Sequence, residues 1–181
     1  AVICYWDTPV QSAVNHALPG SDILLEGTFQ EQVWITKSVN LVGRSDGGED
    51  SVATFLAPNY LELGDSAHYV DHYETYHQSQ DYGVIYVDGA SQVTIRNVVI
   101  NGMMDYSGDP DWTLPHNSTQ IAGVIFNNAS DSSVENTIIQ DFRNDHNQWA
   151  GDGYIHFGLG ILVYDSHDIT IEHNVIDNTD N

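Results

Sequence analysis

Two stretches of this chain gather the side chains that acid–base, metal or sugar chemistry requires. DYSGDPDW supplies Asp105, Asp109 and Asp111, with Tyr106 and Trp112 among them. QDFRNDHNQWAGDGYIHF supplies Asp141, Asp145 and Asp152 together with Arg143, His146, Trp149, Tyr154 and His156. Two carboxylates flanking a glycosidic bond can act as general acid and general base. The same groups in an Asp-rich loop can instead hold calcium, for which Asp105, Asp109 and Asp111 are the candidate ligands. Since the chain carries 26 Asp plus Glu residues, a solvated acidic surface is the plainer alternative for most of them.

Cations are scarce. Lys37, Arg44, Arg96 and Arg143 are the only four, and Arg143 alone lies in one of these stretches. A lyase needs a base near the uronate Cα and a cation, from protein or metal, to neutralise the carboxylate. Arg143 is the candidate for that role, against the alternative of a surface ion pair with Asp141 or Asp145. Trp112 and Trp149, with Tyr106 and Tyr154, offer flat apolar faces to sugar rings while their polar tips stay wet. Anchoring long loops is the competing use of such aromatics, and it suits Tyr69, Tyr73 and Tyr76 equally. HYVDHYETYH places His68 and His72 at a spacing that aligns two imidazoles on a helix for a transition metal, but no companion ligand motif accompanies it. Asn117-Ser118-Thr119 and Asn128-Ala129-Ser130 are glycosylation sequons, meaningful in an exported chain.

The elements that must hold these residues are announced by a repeat. GVIYVDGASQVTIRNVVING begins at Gly83, GVIFNNASDSSVENTIIQDF at Gly123 and GILVYDSHDITIEHNVIDN at Gly160. Superposed on Ile95, Val134 and Ile171, the units align Val99 with Ile138 and Val175, and Ile100 with Ile139 and Ile176. The short runs alternate apolar and polar residues and are rich in β-branched side chains, the period of strands. Such runs cannot form a sheet within one unit, so they must pair with their equivalents in neighbouring units. Three strands per unit then give a coil of parallel sheets around one apolar core, with Val99, Ile138 and Val175 expected to stack inside it. The first strands would be Val84 to Val87, Val124 to Phe126 and Ile161 to Val163. The tight corner before the third strand holds Asn97, Asn136 and, one position late, Asn174, a residue type that tolerates left-handed backbone.

The N-terminal half reads the same way. Ile23 to Leu25, Val33 to Ile35 and Val39 to Val42 are expected as one set of three strands, with a second coil starting near Ala53 to Leu56. Before them, Thr8 to Leu18 is expected as a helix with Thr8 as N-cap, Pro9 in its first turn, and an apolar stripe of Val10, Ala13, Val14 and Ala17. That helix would cover the open end of the coil.

The helix followed by PGSDILLEGTFQEQVWITKSVNLVG and the repeated GVxxx…I-x-x-N…I units resembles the right-handed parallel β-helix proteins of the pectin-lyase-like group, closest to the carbohydrate-binding and sugar-hydrolysis repeat type. The resemblance implies an all-β solenoid with an N-terminal capping α-helix, and a substrate groove walled by the long loops that precede each first strand. Those loops, Gly64 to Tyr82, Asn101 to Ala122 and Gln140 to Leu159, carry the candidates above. Polysaccharide is the partner this implies. If the protein is an enzyme, it is a polysaccharide lyase, glycoside hydrolase or epimerase; a non-catalytic surface, adhesion or assembly scaffold is the alternative. An Asn178-Thr179-Asp180 tripeptide also found in polygalacturonases lacks its downstream partners here.

The bulk composition sets the outer limits. A hydrophobic fraction of 41% in 181 residues fits one domain spanning 1–181 with a continuous core. No run is long and apolar enough for a membrane-spanning helix. The formal net charge of -22 repels phosphates and anionic lipid heads, which disfavours nucleic acid and membrane surfaces as partners. Salt adaptation is the first reading of this acidity, with a calcium-loaded extracellular protein as its competitor. A single cysteine, Cys4, forms no internal disulfide. The stop after IEHNVIDNTDN leaves the last coil without a cap, so further coils or a second subunit are expected there.

Overall fold

Apolar runs too short to sustain a sheet alone pair with their equivalents one pass further along the chain. The computed structural model describes residues 2–5, 8–44, 52–58, 80–103, 118–142 and 157–179. Among these, fifteen strands and one helix form three wholly parallel sheets. Sheet 1 contains β1 (Val2–Tyr5), β2 (Ser21–Glu26), β5 (Val39–Gly43), β8 (Thr94–Arg96), β11 (Ser130–Glu135) and β14 (His167–Glu172), in that order. Sheet 2 contains β3 (Thr28–Gln30), β6 (Ala53–Leu56), β9 (Val98–Asn101), β12 (Ile138–Phe142) and β15 (Val175–Thr179). Sheet 3 contains β4 (Val33–Ile35), β7 (Gln80–Asp88), β10 (Ser118–Asn127) and β13 (Phe157–Tyr164). The chain visits sheets 1, 2 and 3 in turn, then returns to sheet 1 one strand further on. No helix among the described residues is long and apolar enough to cross a membrane.

The register follows the repeat. In sheet 1, Leu41 pairs with Ile23 and Ile95, and Val134 pairs with Ile95 and Ile171, one inward column. In sheet 3, Ile85, Val124 and Ile161 align, as do Val87, Phe126 and Val163. In sheet 3, β4 has the bounds anticipated, whereas β7, β10 and β13 are longer than the short runs expected, and Gly83 pairs with Ala122 rather than with Gly123. Gly123 and Gly160 face inward, where a Cβ would lie 2.5 Å from Ile139 Cγ2 and 2.7 Å from Ile176 Cγ2 respectively. The equivalent place in the preceding pass is filled by Val84, which is fully buried.

Three expectations for the strands are corrected. Val99, Ile138 and Val175 do stack in register, but on the outside: Ile138 is 38% and Val175 55% exposed. The inward column of sheet 2 is Phe29, Phe55, Ile100, Ile139 and Ile176. The parity is set one residue earlier by Thr137, which is 1% exposed and satisfies its hydroxyl on the Glu135 carbonyl at 3.0 Å. Second, Ile23 to Leu25 and Val39 to Val42 are successive strands of one sheet, not members of one set, and Thr28–Gln30, with its single apolar residue, supplies the sheet 2 strand between them. Third, Ala53–Leu56 is the sheet 2 strand of the second pass, between β5 and β7, rather than the start of a coil.

Corners repeat as faithfully as strands. Gly89, Asn128 and Asp165 share one corner position, Gln92, Asp131 and Asp168 a second, and Asn97, Asn136 and His173 a third, all with φ between 43° and 61°. The third corner therefore holds His173 where Asn174 was expected. Asn174 instead sits beside Thr137, accepting its N–H at 2.9 Å and donating to the Val134 carbonyl at 2.8 Å.

Between β1 and β2 the chain bypasses sheets 2 and 3 and forms α1 (Val10–His16), shorter than the expected Thr8 to Leu18. Val10, Ala13, Val14 and Ala17 join the main core. Thr8 is not the N-cap; Pro9 holds that position. The first free N–H groups go to Glu31, whose carboxylate accepts from Val10 at 2.7 Å and Gln11 at 3.0 Å. At the other end Lys37 Nζ donates to the carbonyls of Asn15 and Ala17, both at 2.9 Å. An anion at the N-terminus and a cation at the C-terminus both complement the helix dipole. At the far end of the stack, Ile171 and Ile176 are 45% and 46% exposed, whereas their column neighbours Val134 and Ile139 are fully buried.

Candidate functional site

The three long connections of the chain all run from sheet 2 to sheet 3, from β6 to β7, β9 to β10 and β12 to β13. Because the strands at both ends of each connection are neighbours in parallel sheets, all three leave and rejoin the stack on one flank. The candidates Asp105, Tyr106, Asp109, Asp111, Trp112, Arg143, Asp145, His146, Trp149, Asp152 and Tyr154 belong to these connections and lie outside the described residues, as does the His68 to His77 cluster. Among the described residues, no group of three or more His, Cys, Asp or Glu side chains is arranged to hold a metal ion.

One predicted site residue is placed. Asp141 is half-buried near the end of β12, with φ of 60°, at the root of the connection that follows. Its Oδ1 accepts from Asn178 Nδ2 at 2.8 Å, and its Oδ2 from Asn101 Nδ2 at 2.9 Å and Gln140 Nε2 at 3.1 Å. An ionised carboxylate is acceptor-only, so it suits three amide donors converging from three successive passes. The three accepted bonds leave one lone-pair site open, on Oδ1. The geometry fits a group that positions the chain at this flank. Asn101, Gln140 and Asn178 were absent from the candidate list, although the alignment of Ile100 with Ile139 and Ile176 puts Asn101 and Gln140 in one column.

The outward face of sheet 3 beside this flank is largely apolar. Trp34, Tyr86, Ile125 and Leu162 form its central column. Trp34 and Tyr86 stack with ring centroids 4.2 Å apart and planes 6° from parallel. Tyr86 is fully buried and Ile125 1% exposed, while Trp34 and Leu162 at the two ends are half-buried, so the middle of this column is covered. The next outward column is polar and half-buried: Asp88, Asn127 and Tyr164, with Asn127 Nδ2 donating to Asp88 Oδ1 at 3.1 Å. Sequence reasoning sought polar and aromatic candidates in the connections and passed over this row, whose only signal is its place at the end of each apolar run.

The described cations stand elsewhere. Lys37 is committed to α1, Arg44 lies 3.8 Å from Glu26 in an exposed pair of little energetic weight, and Arg96 is on the outward face of sheet 1. Of the four Lys and Arg residues, Arg143 alone belongs to one of the three connections. Compared with known proteins, the chain matches no protein-family model, no curated protein and no solved structure.

Proposed function

We propose that this chain is a right-handed parallel β-helix of the pectin-lyase-like type, with α1 covering its N-terminal end, that is exported and binds or processes polysaccharide along the flank joining sheets 2 and 3. The observation that carries the reading is the convergence of all three long connections on that flank. Those connections hold eight of the 19 aromatic side chains and the clustered carboxylates of the sequence. A neutral sugar would stack on Trp112 and Trp149, whereas an anionic one would need Arg143 or a bridging calcium held by Asp105, Asp109 and Asp111. The acid excess is read as salt adaptation, in keeping with an extracellular setting.

A second reading, a non-catalytic scaffold for adhesion or assembly, draws support from the full burial of Tyr86 and Ile125 on the outward face of sheet 3 and from the engagement of both Asp141 oxygens. A panel of neutral and acidic polysaccharides, with and without calcium, separates the two. Reducing ends or unsaturated products support an enzyme. Retention without turnover supports a binding module, and neither on any polymer favours the scaffold. Loss of retention in both Trp112→Ala and Trp149→Ala is the expected sign of stacking.

A further inference from the structure

One dipeptide of the chain is chemically labile by composition: Asn101-Gly102, the single Asn-Gly of the sequence. With no side chain on the following residue, the glycine nitrogen meets little hindrance in attacking the asparagine Cγ. The N–Cγ bond forms and the Cγ–Nδ2 bond breaks. The side-chain nitrogen leaves as ammonia, carrying the proton the backbone nitrogen gives up. Water then opens the succinimide to aspartate or isoaspartate.

The fold demands both residues. A Cβ on residue 102 would lie 2.4 Å from the Asp141 carbonyl oxygen and 2.8 Å from Phe142 Cδ1, so the close approach of the next pass admits glycine alone. Asn101 supplies one of the amides that holds Asp141. Having imposed the labile pair, the fold also restrains each reacting group. The leaving Nδ2 donates to Asp141 Oδ2 at 2.9 Å, Oδ1 accepts the Met103 N–H at 2.6 Å, and the attacking Gly102 nitrogen has its hydrogen engaged by the Gln140 carbonyl at 3.0 Å.

We propose that Asn101 is a guarded deamidation site. The pairing of β9 with β12 and the Asp141 carboxylate keep it unreactive in the folded chain, and opening of that pairing converts residue 101 to aspartate or isoaspartate. The change opposes its own reversal. A carboxylate at residue 101 replaces a hydrogen-bond donor to Asp141 with a second anion, and isoaspartate also lengthens the backbone at the end of β9. Modification at this position thus turns a transient opening into a lasting weakness between two passes, independently of any polysaccharide reading.

The test incubates the protein at mildly alkaline pH, native and in denaturant. Residue 101 is followed by tandem mass spectrometry and isoaspartyl methyltransferase labelling. Native protein is expected to react at least about tenfold more slowly than unfolded chain, because reaction must wait for local opening. Asp141→Asn, verified as folded by circular dichroism, is expected to raise the native rate severalfold. Equal native and unfolded rates overturn the proposal, as does a folded Asp141→Asn with an unchanged native rate. If that variant does not fold, the native-to-unfolded comparison still decides the guarding. Asn101→Asp, imitating one product, is expected to melt below the wild type; equal stability would overturn the claim of lasting weakness.

Discussion

The outward face of sheet 1 offers a direct measure of what the acidic surface costs. Glu135 pairs with Arg96 on one side and with Glu172 on the other, and the burial of Val134, immediately before it in the strand, fixes Glu135 as outward. Neighbouring strands are about 4.8 Å apart, so the two carboxylates sit roughly 5 Å from one another. At that separation in a water-like dielectric, like charges repel by about 0.8 kcal/mol. Replacing Glu172 by Lys turns this into an attraction and completes a plus–minus–plus column. Side-chain mobility reduces the gain to about 0.5–1 kcal/mol, the usual range for cross-strand pairs. In a protein of this size that is a rise in melting temperature of about 1–4 °C.

Urea denaturation is the appropriate assay, since the denaturant adds no charge. Glu172→Lys is expected to be more stable than the wild type at low NaCl, with Glu172→Gln near midway. At 1 M salt the Debye length of about 3 Å is shorter than the charge separation, so roughly a fifth of the difference should remain. A gain unchanged by salt would refute the electrostatic argument, and a Glu172→Lys protein no more stable than wild type at low salt would refute the register. The wild type itself should gain stability from NaCl if the acidity is salt adaptation. A melting temperature flat in NaCl but raised strongly by calcium would favour the competing cause.

Further outcomes test the core and the corners. Ile139→Ala, emptying the fully buried centre of the sheet 2 column, should cost about 2–5 kcal/mol, while Ile138→Ala next to it should cost much less; equilibrium unfolding of both settles the parity. Glu31→Ala should lose about 1–2 kcal/mol through the freed N–H groups of Val10 and Gln11, with faster amide exchange in α1 ahead of the sheets. Asn136→Ala should cost about 1–2 kcal/mol because alanine resists φ of 48°, whereas Asn136→Gly should be milder, as thermal melts of the two would reveal.

Sheet pairing was legible because Ile95, Val134 and Ile171 fall at the same point of three similar units. Which side of a strand faces inward was not legible where two apolar residues adjoin, as at Ile138 and Ile139. Periodicity alone cannot choose between them, and the decision rests on Thr137, a polar residue that goes inside by bonding its own backbone. The Thr28–Gln30 strand was missed because three residues with one apolar side chain carry almost no pattern. The left-handed corner at Asn97 and Asn136 was readable from residue type, but His173 is an unusual occupant and Asn174 drew the eye instead. For the candidate site, Asp141 was chosen for its charge. Its tie to Asn101 and Asn178 depends on contacts spanning three passes, which no local motif encodes.

The three columns of left-handed residues make the protein modular. Val124 and Ile161 are structural equivalents, so the interval 124–160 begins and ends at the same point of the pattern. A tandem copy of that interval, inserted in frame, would return every corner and every inward side chain to a matching neighbour and add one strand to each sheet. The fold would grow by about 4.8 Å per copy. Unequal recombination between repeats can therefore lengthen or shorten the molecule in whole steps without new corner sequences.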